Sequence, residues 1–288
     1  MTMSPAQNLR QLLDQPGILV MPGCYDAFSA RLIERAGFRV AFMGGFAVSA
    51  SRIGMPDTGL IAYAEMLDQG CNICSAVSIP VIGDGDTGYG NALNVQRTVK
   101  GYARAGFACV MIEDQVAPKR CGHTRGKQVV SRDEAVSRIQ AAVDARNEGS
   151  DILVLARTDA NATDGIGEAI ARVKAFAEAG ADITFLEAPR NEDEMRAYCD
   201  QVAGPKMANL VEQGDTPMLP PAQLEALGYK LALYPLTLIL AAQRAMAEAL
   251  AGMARGTHPD ALADFAELRE VVGFPDYYEA EKKYAADG

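Results

Sequence analysis

The chain lacks the features that would place it in or across a membrane. No apolar stretch reaches the roughly 18 residues that a membrane-spanning helix needs. The longest runs from Leu231 to Ala242 and contains Tyr234 and Pro235. Residues 1–13 contain no apolar signal core. The sequence therefore predicts a protein without membrane attachment that stays in the cytoplasm.

Basic segments are also scarce. The chain has 288 residues, a formal net charge of −10 and a sequence pI of about 4.8. It has no run of Lys and Arg of the kind that binds a nucleic acid backbone, so nucleic acid is excluded as an expected partner. Because the field of an acidic protein repels anions, an anionic substrate would need a local group of cations or a metal ion.

Two further signals are missing. No G-x-G-x-x-G follows the first apolar run, which argues against a dinucleotide-binding fold. The six cysteines have no spacing typical of a disulfide framework. The chain is therefore expected to fold around an apolar core, as its 49% hydrophobic composition allows.

What the sequence does contain is an alternation of short apolar runs and helical patterns. Three helical patterns end in Ala-Gly before the next run, a typical helix C-terminus. Alternating strands and helices predict a parallel sheet covered on both faces, and eight units favour a closed barrel over an open sheet. We therefore predict one α/β domain over residues 1–288, a (β/α)8 barrel of the TIM type. Its predicted strands are Ile18–Met21, Val40–Met43, Val81–Gly83, Cys109–Ile112, Ile152–Ala156, Ile183–Leu186, Lys206–Asn209 and Leu231–Tyr234.

The C-terminal segment, residues 260–288, lies outside the eight units. Its pattern predicts one or two extra helices with Pro275 between them, and Pro275-Asp276-Tyr277-Tyr278 resembles a capped helix start. Exposed apolar positions in this extension would suit contact with a neighbouring subunit, and a cap on the barrel fits the pattern equally well.

Charged and amide residues follow most of the predicted strands. In a barrel of this type the active site lies at the carboxyl ends of the strands, so these side chains should meet at one mouth. Burying several carboxylates together costs too much free energy unless a cation lies among them. The sequence therefore predicts an active site built from Asp57, Asp84, Asp86, Glu113, Arg157, Glu187 and Asn209.

The acidic members of this set predict a magnesium site. Asp84, Asp86 and Glu113 follow adjacent strands, and Asp57 lies nearby. Mg2+ prefers hard oxygen ligands and keeps several waters, and Mn2+ could substitute for it. No histidine lies among these carboxylates, which argues against zinc or iron.

The segment from Lys119 to Lys127 is the densest cationic stretch of the chain. It includes Arg120, His123 and Arg125, which would suit the capture of a carboxylate or phosphate. Cys121 lies in its middle, where neighbouring cations would lower the pKa of the thiol and make it available for proton transfer. The glycine in this loop is also typical of a lid that closes over a substrate.

At these residues the sequence resembles the isocitrate lyase / phosphoenolpyruvate mutase superfamily, over nearly the whole chain. Lys119-Arg120-Cys121-Gly122-His123 is similar to the K-[KR]-C-G-H motif of its carbon–carbon lyase branch. Three further blocks are similar to family motifs: Asp84-Gly85-Asp86-Thr87-Gly88-Tyr89-Gly90, Glu113-Asp114-Gln115 and Ala156-Arg157-Thr158-Asp159-Ala160.

The resemblance implies a role for each of these positions. Metal binding falls to Asp84, Asp86 and Glu113, partly through water, with Asp57 behind them. Cys121 would be the general acid, assisted by Lys119, His123 and Arg157 as ligands for carboxylate or enolate oxygens. The substrate pocket would be formed by Gly44, Gly45, Asp57, Gly122, Arg157, Glu187 and Asn209. The family commonly forms tetramers in which the C-terminal helices pack on a neighbouring subunit.

The implied reaction is a retro-aldol cleavage of a small hydroxycarboxylate to a 2-oxo acid and an enolate-like carboxylate. One departure from the family leaves the general base unidentified. Isocitrate and methylisocitrate lyases usually have Tyr-x-Ser-Gly-Gly after the second strand, whereas this chain has Phe42-Met43-Gly44-Gly45 and loses both hydroxyls. The segment Lys119 to Lys127 is closer to the branch that cleaves 2-alkylmalates and dimethylmalate.

Several functions remain as alternatives to a 2-alkylmalate or dimethylmalate lyase. Methylisocitrate lyase would give pyruvate and succinate, and an oxaloacetate hydrolase would give oxalate and acetate. A phosphonate mutase or hydrolase ranks low, because those enzymes lack the cysteine of the K-[KR]-C-G-H motif. A barrel that merely binds dicarboxylates ranks lowest, because it would need no proton donor.

Overall fold

The fold is a closed barrel of eight parallel strands. A computed structural model describes residues 3–120 and 126–284. Each strand pairs with the next, and β8 returns to β1 with Leu19 opposite Leu231. The predicted (β/α)8 fold is confirmed. Its strands are β1 (Leu19–Cys24), β2 (Ala41–Met43), β3 (Val81–Asp84), β4 (Cys109–Glu113), β5 (Leu153–Thr158), β6 (Ile183–Leu186), β7 (Lys206–Asn209) and β8 (Leu231–Tyr234).

Helices surround the barrel and extend beyond it. A short π-helix, Ser49–Ile53, follows α3. The α-helices are α1 (Pro5–Asp14), α2 (Ala27–Arg35), α3 (Gly45–Val48), α4 (Tyr63–Ala76), α5 (Ala92–Ala105), α6 (Arg132–Asn147), α7 (Ala160–Thr163), α8 (Ile166–Glu178), α9 (Glu192–Gln201), α10 (Pro221–Leu227), α11 (Thr237–Ala254), α12 (Phe265–Val271) and α13 (Phe274–Lys282). Within the described ranges, no helix is long and apolar enough to cross a bilayer.

Local sequence sets the ends of several helices. Asp26 caps α2 by accepting a hydrogen bond of 2.7 Å from the backbone N–H of Ser29. At the other end of a helix, Gly106 terminates α5 with a φ of +93°, a left-handed conformation that glycine adopts without strain. The chain then passes directly into β4, as the Ala-Gly pattern predicts.

Two apolar layers close the barrel everywhere except at its mouth. The interior is filled by side chains from the strands, among them Met21, Phe42, Ile82 and Phe185. A larger outer layer lies between strands and helices. The N-terminal helix α1, which the sequence pattern did not predict, adds the fully buried Leu9 to the inner layer. Many of the buried charged side chains therefore lie at the carboxyl ends of the strands.

The C-terminal extension contains two helices, and their boundary differs from the predicted one. The chain turns at Gly273, which has a φ of +87°, and Pro275 lies in the first turn of α13. Proline is tolerated there because the first backbone N–H groups of a helix have no intrahelical partner. The helix start expected at Pro275 is therefore found within one residue, although Pro275 lies inside α13 and not between the two helices. Arg31 of α2 donates to the carbonyl oxygen of Val271 at 3.1 Å and holds α12 against the barrel.

Candidate active site

The polar residues that follow the strands line one cavity of about 380 Å3 at the barrel mouth. The structure brings Asp86 beside this cavity, 2.7 Å from Lys119. Cys121, Gly122 and His123 lie outside the described residues. The remaining predicted site residues all line the cavity, namely Gly44, Gly45, Asp57, Asp84, Glu113, Lys119, Arg157, Glu187 and Asn209.

Asp84, at the end of β3, is held by backbone amides. Its Oδ2 accepts a hydrogen bond of 2.9 Å from the N–H of Gly45, and its Oδ1 accepts one of 3.1 Å from the N–H of Asp86. A Cβ atom at position 45 would lie 2.9 Å from Oδ2 and 3.5 Å from Lys119 Nζ, so only glycine fits this approach. The amide of Gly45, which the family resemblance assigns to substrate binding, is thus directed at Asp84.

Lys119 forms ion pairs with two buried carboxylates, those of Asp57 and Asp86. Its Nζ lies 2.7 Å from Oδ1 of Asp57 and 2.7 Å from Oδ1 of Asp86, and all three side chains are at least 94% buried. Burial raises the pKa of Asp86 to about 6, although Lys119 opposes that rise. Burial would lower the pKa of Lys119, but Asp86, Asp84 and Asp57 raise it well above its ordinary value. Lys119 therefore stays charged.

Arg157, at the end of β5, forms ion pairs with three buried carboxylates, those of Asp159, Glu113 and Glu187. Its Nε lies 2.8 Å from Asp159 Oδ2 and 3.4 Å from Glu113 Oε2, and an Nη atom lies 3.1 Å from Glu187 Oε2. Burial would lower the pKa of Arg157, but these three carboxylates raise it well above its ordinary value. The amide of Asn209 donates to Glu187 at 3.1 Å. The guanidinium is thus fixed at the floor of the cavity.

Asp114 supports this floor from behind. It accepts hydrogen bonds from the hydroxyl of Thr158 at 2.6 Å and from the backbone N–H of Asp159 at 2.9 Å, and it pairs with Arg172 at 3.0 Å. Asp114 and Asp159 were not among the predicted site residues. Both come within about three residues of the end of a predicted strand, and that position is the signal that could have identified them.

Gln115 fixes the start of the cationic segment. This fully buried amide donates to the carbonyl oxygen of Arg120 at 2.8 Å and accepts from the N–H of Arg120 at 2.9 Å. At the end of the segment Lys127 pairs with Asp159 at 3.1 Å, with both side chains at least 95% buried. The two flanks of residues 121–125 are therefore anchored to the barrel. Sequence reasoning missed Gln115, because its two bonds depend on the path of the loop.

The donor set fits a divalent cation. Within the described ranges, six buried carboxylates surround the cavity floor and face three cationic side chains. Oε1 of Glu113 is buried without a hydrogen-bond partner among the described residues, and burial raises the pKa of Glu113 well above its ordinary value. A bound cation would offset this excess of negative charge. The carboxylates are Asp57, Asp84, Asp86, Glu113, Asp159 and Glu187, and the cations are Lys119, Lys127 and Arg157.

The carboxylates do not form a ready-made cage around one point. Across residues 3–120 and 126–284, no group of three or more His, Cys, Asp or Glu side chains is close enough to hold a metal ion by direct contacts alone. Mg2+ usually keeps several waters and binds proteins through one or two carboxylates. The geometry therefore suits an ion bound partly through water.

Part of the cavity wall is apolar. Phe42, Phe46, Val211 and Leu236 line it, together with Pro235. Phe46 is 39% exposed and lies at the rim. A substrate that places its carboxylates over the charged floor would present its carbon substituents to this wall.

Comparison with known proteins yields relatives along nearly the whole chain. The family described as "Phosphoenolpyruvate phosphomutase" matches residues 9–254. The 2,3-dimethylmalate lyase of Eubacterium barkeri is 43% identical over 287 residues, covering 98% of this chain and 99% of its own. A 2-methylisocitrate lyase of Aeropyrum pernix is 40% identical, covering 95% of this chain and 89% of its own.

Solved structures agree with these relatives. Oxaloacetate acetylhydrolase in complex with 3,3-difluorooxalacetate is 37% identical, with a TM-score of 0.93, covering 98% of this chain and 97% of its own. Phosphonopyruvate hydrolase, solved with oxalate and Mg2+, is 31% identical, with a TM-score of 0.87, covering 98% of this chain and 99% of its own. By these similarities, the predicted family is confirmed, and the chain belongs to the phosphoenolpyruvate mutase/isocitrate lyase superfamily.

Proposed function

We propose that this chain is a Mg2+-dependent carbon–carbon lyase that cleaves a 2-hydroxydicarboxylate of the 2-alkylmalate or dimethylmalate type. The products would be a 2-oxo acid and a carboxylate, formed through an enolate-like intermediate. The observation that carries the proposal is the cavity itself, whose lining combines buried carboxylates and cations with apolar side chains. Similarity to 2,3-dimethylmalate lyase supports the same reaction.

The metal ion would be held by Asp84, Asp86 and Glu113, with Mn2+ as a substitute for Mg2+. When bound, it would orient the oxygens of a 2-hydroxy or 2-oxo acid and stabilise their negative charge. Asp57 would act through Lys119, which it contacts at 2.7 Å. The buried Glu113 oxygen without a partner is the feature of this chain that best supports a metal ligand.

The cations would bind the substrate and stabilise the charge that develops in cleavage. The C2 hydroxyl loses its proton to a base, the C2–C3 bond breaks, and its electron pair moves into the leaving carboxylate as an enolate. Lys119 and Arg157 lie at the cavity floor, where fixed charges need no reorganisation during the reaction. Cys121 would return a proton to C3, assisted by His123, and Gly122 would contact the substrate.

The apolar wall supports an alkyl-substituted substrate over a tricarboxylate. Phe42, Phe46 and Val211 would pack against methyl groups, and each buried CH2 contributes about 0.8 kcal/mol. Glu212, which also lines the cavity, would repel a third carboxylate. The charged end of the substrate would lie toward Asn209, Gly44 and the cations.

Oxaloacetate hydrolysis is the second candidate. It is favoured by the TM-score of 0.93 to oxaloacetate acetylhydrolase. Methylisocitrate cleavage is supported by similarity to 2-methylisocitrate lyase. The hydrolase reaction needs an activated water and no C2 alcohol, whereas both lyase reactions need a C2 hydroxyl whose proton can be removed.

A parallel product assay decides among these reactions. Purified protein with Mg2+ would receive dimethylmalate, 2-alkylmalates, methylisocitrate, isocitrate, oxaloacetate and phosphonopyruvate, with products identified by NMR. Pyruvate or glyoxylate from an alkylmalate would support the proposal. Pyruvate with succinate would identify a methylisocitrate lyase, and oxalate with acetate from oxaloacetate would identify a hydrolase. Turnover of none of the hydroxy acids would refute lyase chemistry on these substrates.

We further propose a cytoplasmic homo-oligomer, a tetramer in the manner of the family. Large apolar side chains are exposed along α11–α13, which is the face expected to meet a neighbouring subunit. They include Met246, Leu250 and Met253 on α11 and Phe265 on α12, each at least 59% exposed in the single chain. Light scattering of the purified protein would measure the number of subunits.

A further inference from the structure

Three carboxylates compete for one guanidinium at the floor of the cavity. Nε of Arg157 lies 2.8 Å from Oδ2 of Asp159 and 3.4 Å from Oε2 of Glu113. The third carboxylate, Glu187, contacts an Nη atom at 3.1 Å instead. The Nε–H bond can point at only one acceptor with good geometry, and Asp159 holds it.

If Glu113 binds a metal ion, its role differs from the roles of Asp159 and Glu187. A carboxylate that forms a close ion pair with arginine is a poorer metal ligand, because the guanidinium already neutralises its charge. Glu113 lies 3.4 Å from Nε, in a looser ion pair than the one at 2.8 Å that Asp159 forms through the Nε–H bond. Its Oε1 is buried without a hydrogen-bond partner in the described ranges. The position of Arg157 therefore decides how available Glu113 is.

Asp159 fixes the position of the Arg157 guanidinium. It accepts two hydrogen bonds from the guanidinium, at 2.8 and 3.0 Å, and it is fully buried. Its backbone N–H is fixed by Asp114 at 2.9 Å, and Lys127 contacts its Oδ1 at 3.1 Å. A paired fork of this kind fixes both distance and direction.

We propose that Asp159 is a positioning residue that draws Arg157 away from Glu113 and so keeps Glu113 available to the metal ion. Loss of the Asp159 carboxylate would let the guanidinium close on Glu113. The affinity for a divalent cation would then fall before any substrate is bound. This inference rests on the proposed function, since it takes Glu113 as a metal ligand.

The test is the affinity for Mn2+ alone, measured by electron paramagnetic resonance of the free ion, with Mg2+ as competitor. Asp159→Asn keeps the size of the side chain and removes its charge. We expect affinity to fall about 10- to 100-fold, the usual effect of removing a group that orients a metal ligand. Unchanged affinity in folded protein, checked by circular dichroism, would overturn the proposal.

The matched control is Glu187→Gln. It removes the same unit of negative charge from the same guanidinium, but at an Nη atom and not at Nε. The proposal therefore expects its Mn2+ affinity to stay within about threefold of the unaltered protein. An equal loss in both variants would show a general charge effect and overturn the positioning role.

A double-mutant cycle isolates the role of Arg157. In an Arg157→Met background no guanidinium can close on Glu113, so adding Asp159→Asn should change the Mn2+ affinity by less than about threefold. The double variant removes a buried cation and anion together, so it remains usable where the single variant does not fold. A tenfold further loss in the double variant would overturn the proposal.

The unaltered protein separates this inference from the proposed function. Failure of the unaltered chain to bind Mn2+ would overturn the metal site itself. If the unaltered chain binds Mn2+ and the Asp159→Asn variant binds it equally well, only the role of Asp159 is overturned.

Discussion

Lys119→Met should destabilise the protein strongly at neutral pH. The ammonium contacts Asp57 and Asp86 at 2.7 Å each, and the side chains are at least 94% buried. Methionine keeps most of the volume and removes the charge, so two buried carboxylates lose the cation that lies between them. Breaking a buried ion pair by removing one partner typically costs about 3–5 kcal/mol.

Proton uptake sets an upper limit to this cost. A buried carboxylate can be neutralised instead of remaining as an unpaired anion, and protonating an aspartate with an ordinary pKa near 3.9 costs about 4 kcal/mol at pH 7. In the variant, the folded-state pKa of such a group lies above its unfolded value, so stability is recovered as the pH falls. Between pH 7 and pH 5.5 one proton taken up restores about 2 kcal/mol to the variant. The unaltered protein gains part of this as well, because the pKa of its Asp86 is about 6, so the loss should shrink by about 1 kcal/mol.

The assay is urea unfolding in EDTA, followed by circular dichroism at both pH values. Lys100→Met is the matched control, because Lys100 forms an ion pair of 2.8 Å with Glu148 on the surface. Exposed pairs contribute about 0–1 kcal/mol, so this variant should stay close to the unaltered protein at either pH. A loss below about 1 kcal/mol for Lys119→Met at pH 7, or one that does not shrink at pH 5.5, would refute the reasoning.

Four further predictions concern the thiol, the protonation of Asp86, the metal and the assembly. Cys121→Ser should reduce cleavage by about 100-fold or more, the usual scale for a lost general acid, while product binding measured by calorimetry persists; unchanged turnover would refute the role. In EDTA, the free energy of unfolding should rise as the pH falls from 7.5 to 5. Burial holds the pKa of Asp86 in the folded state at about 6, above its ordinary value of 3.8. The stability that protonated Asp86 contributes is therefore complete below pH 3.8 and is lost as the pH rises through about 6. Saturating Mg2+ should restore activity and add about 2.7 kcal/mol at one hundred times its Kd, and full activity in chelator would contradict the metal site. Met246→Glu combined with Leu250→Glu should reduce the number of subunits measured by light scattering, whereas Arg244→Glu on the same exposed helix should leave the number unchanged; an intact assembly in the double variant would place the interface elsewhere.

The sequence was most informative where periodicity and burial coincide. The strands from Val81, Cys109, Ile183, Lys206 and Leu231 begin as predicted, because continuous apolar runs occur where both faces of a strand are covered. Helix α1 was missed because it precedes the first strand and breaks the β–α alternation. The helix start near Pro275 was predicted to within one residue, because proline is favoured in a first helical turn.

The site was predictable as a set of residues, but its pairing was not. Strand order places Asp84, Glu113 and Arg157 at one mouth, since neighbouring parallel strands end together. Whether Lys119 faces Asp57 or Glu113 depends on the path of a loop, which has no periodic pattern. The fork between Arg157 and Asp159 likewise depends on side-chain rotamers that strand register leaves open.

The three candidate metal ligands are each held by a different partner. Backbone amides hold Asp84, the ammonium of Lys119 holds Asp86, and the guanidinium of Arg157 lies near Glu113. These groups already meet at one backbone hydrogen bond of 2.9 Å, from the N–H of Glu113 to the carbonyl oxygen of Asp86, and a divalent cation would join their carboxylates as well. Removing Lys119 or Arg157 would disturb one group directly, whereas removing the metal would leave both with excess negative charge. We therefore expect chelation to loosen the mouth of the barrel on both sides, and hydrogen exchange at the ends of β3 and β5 would detect it.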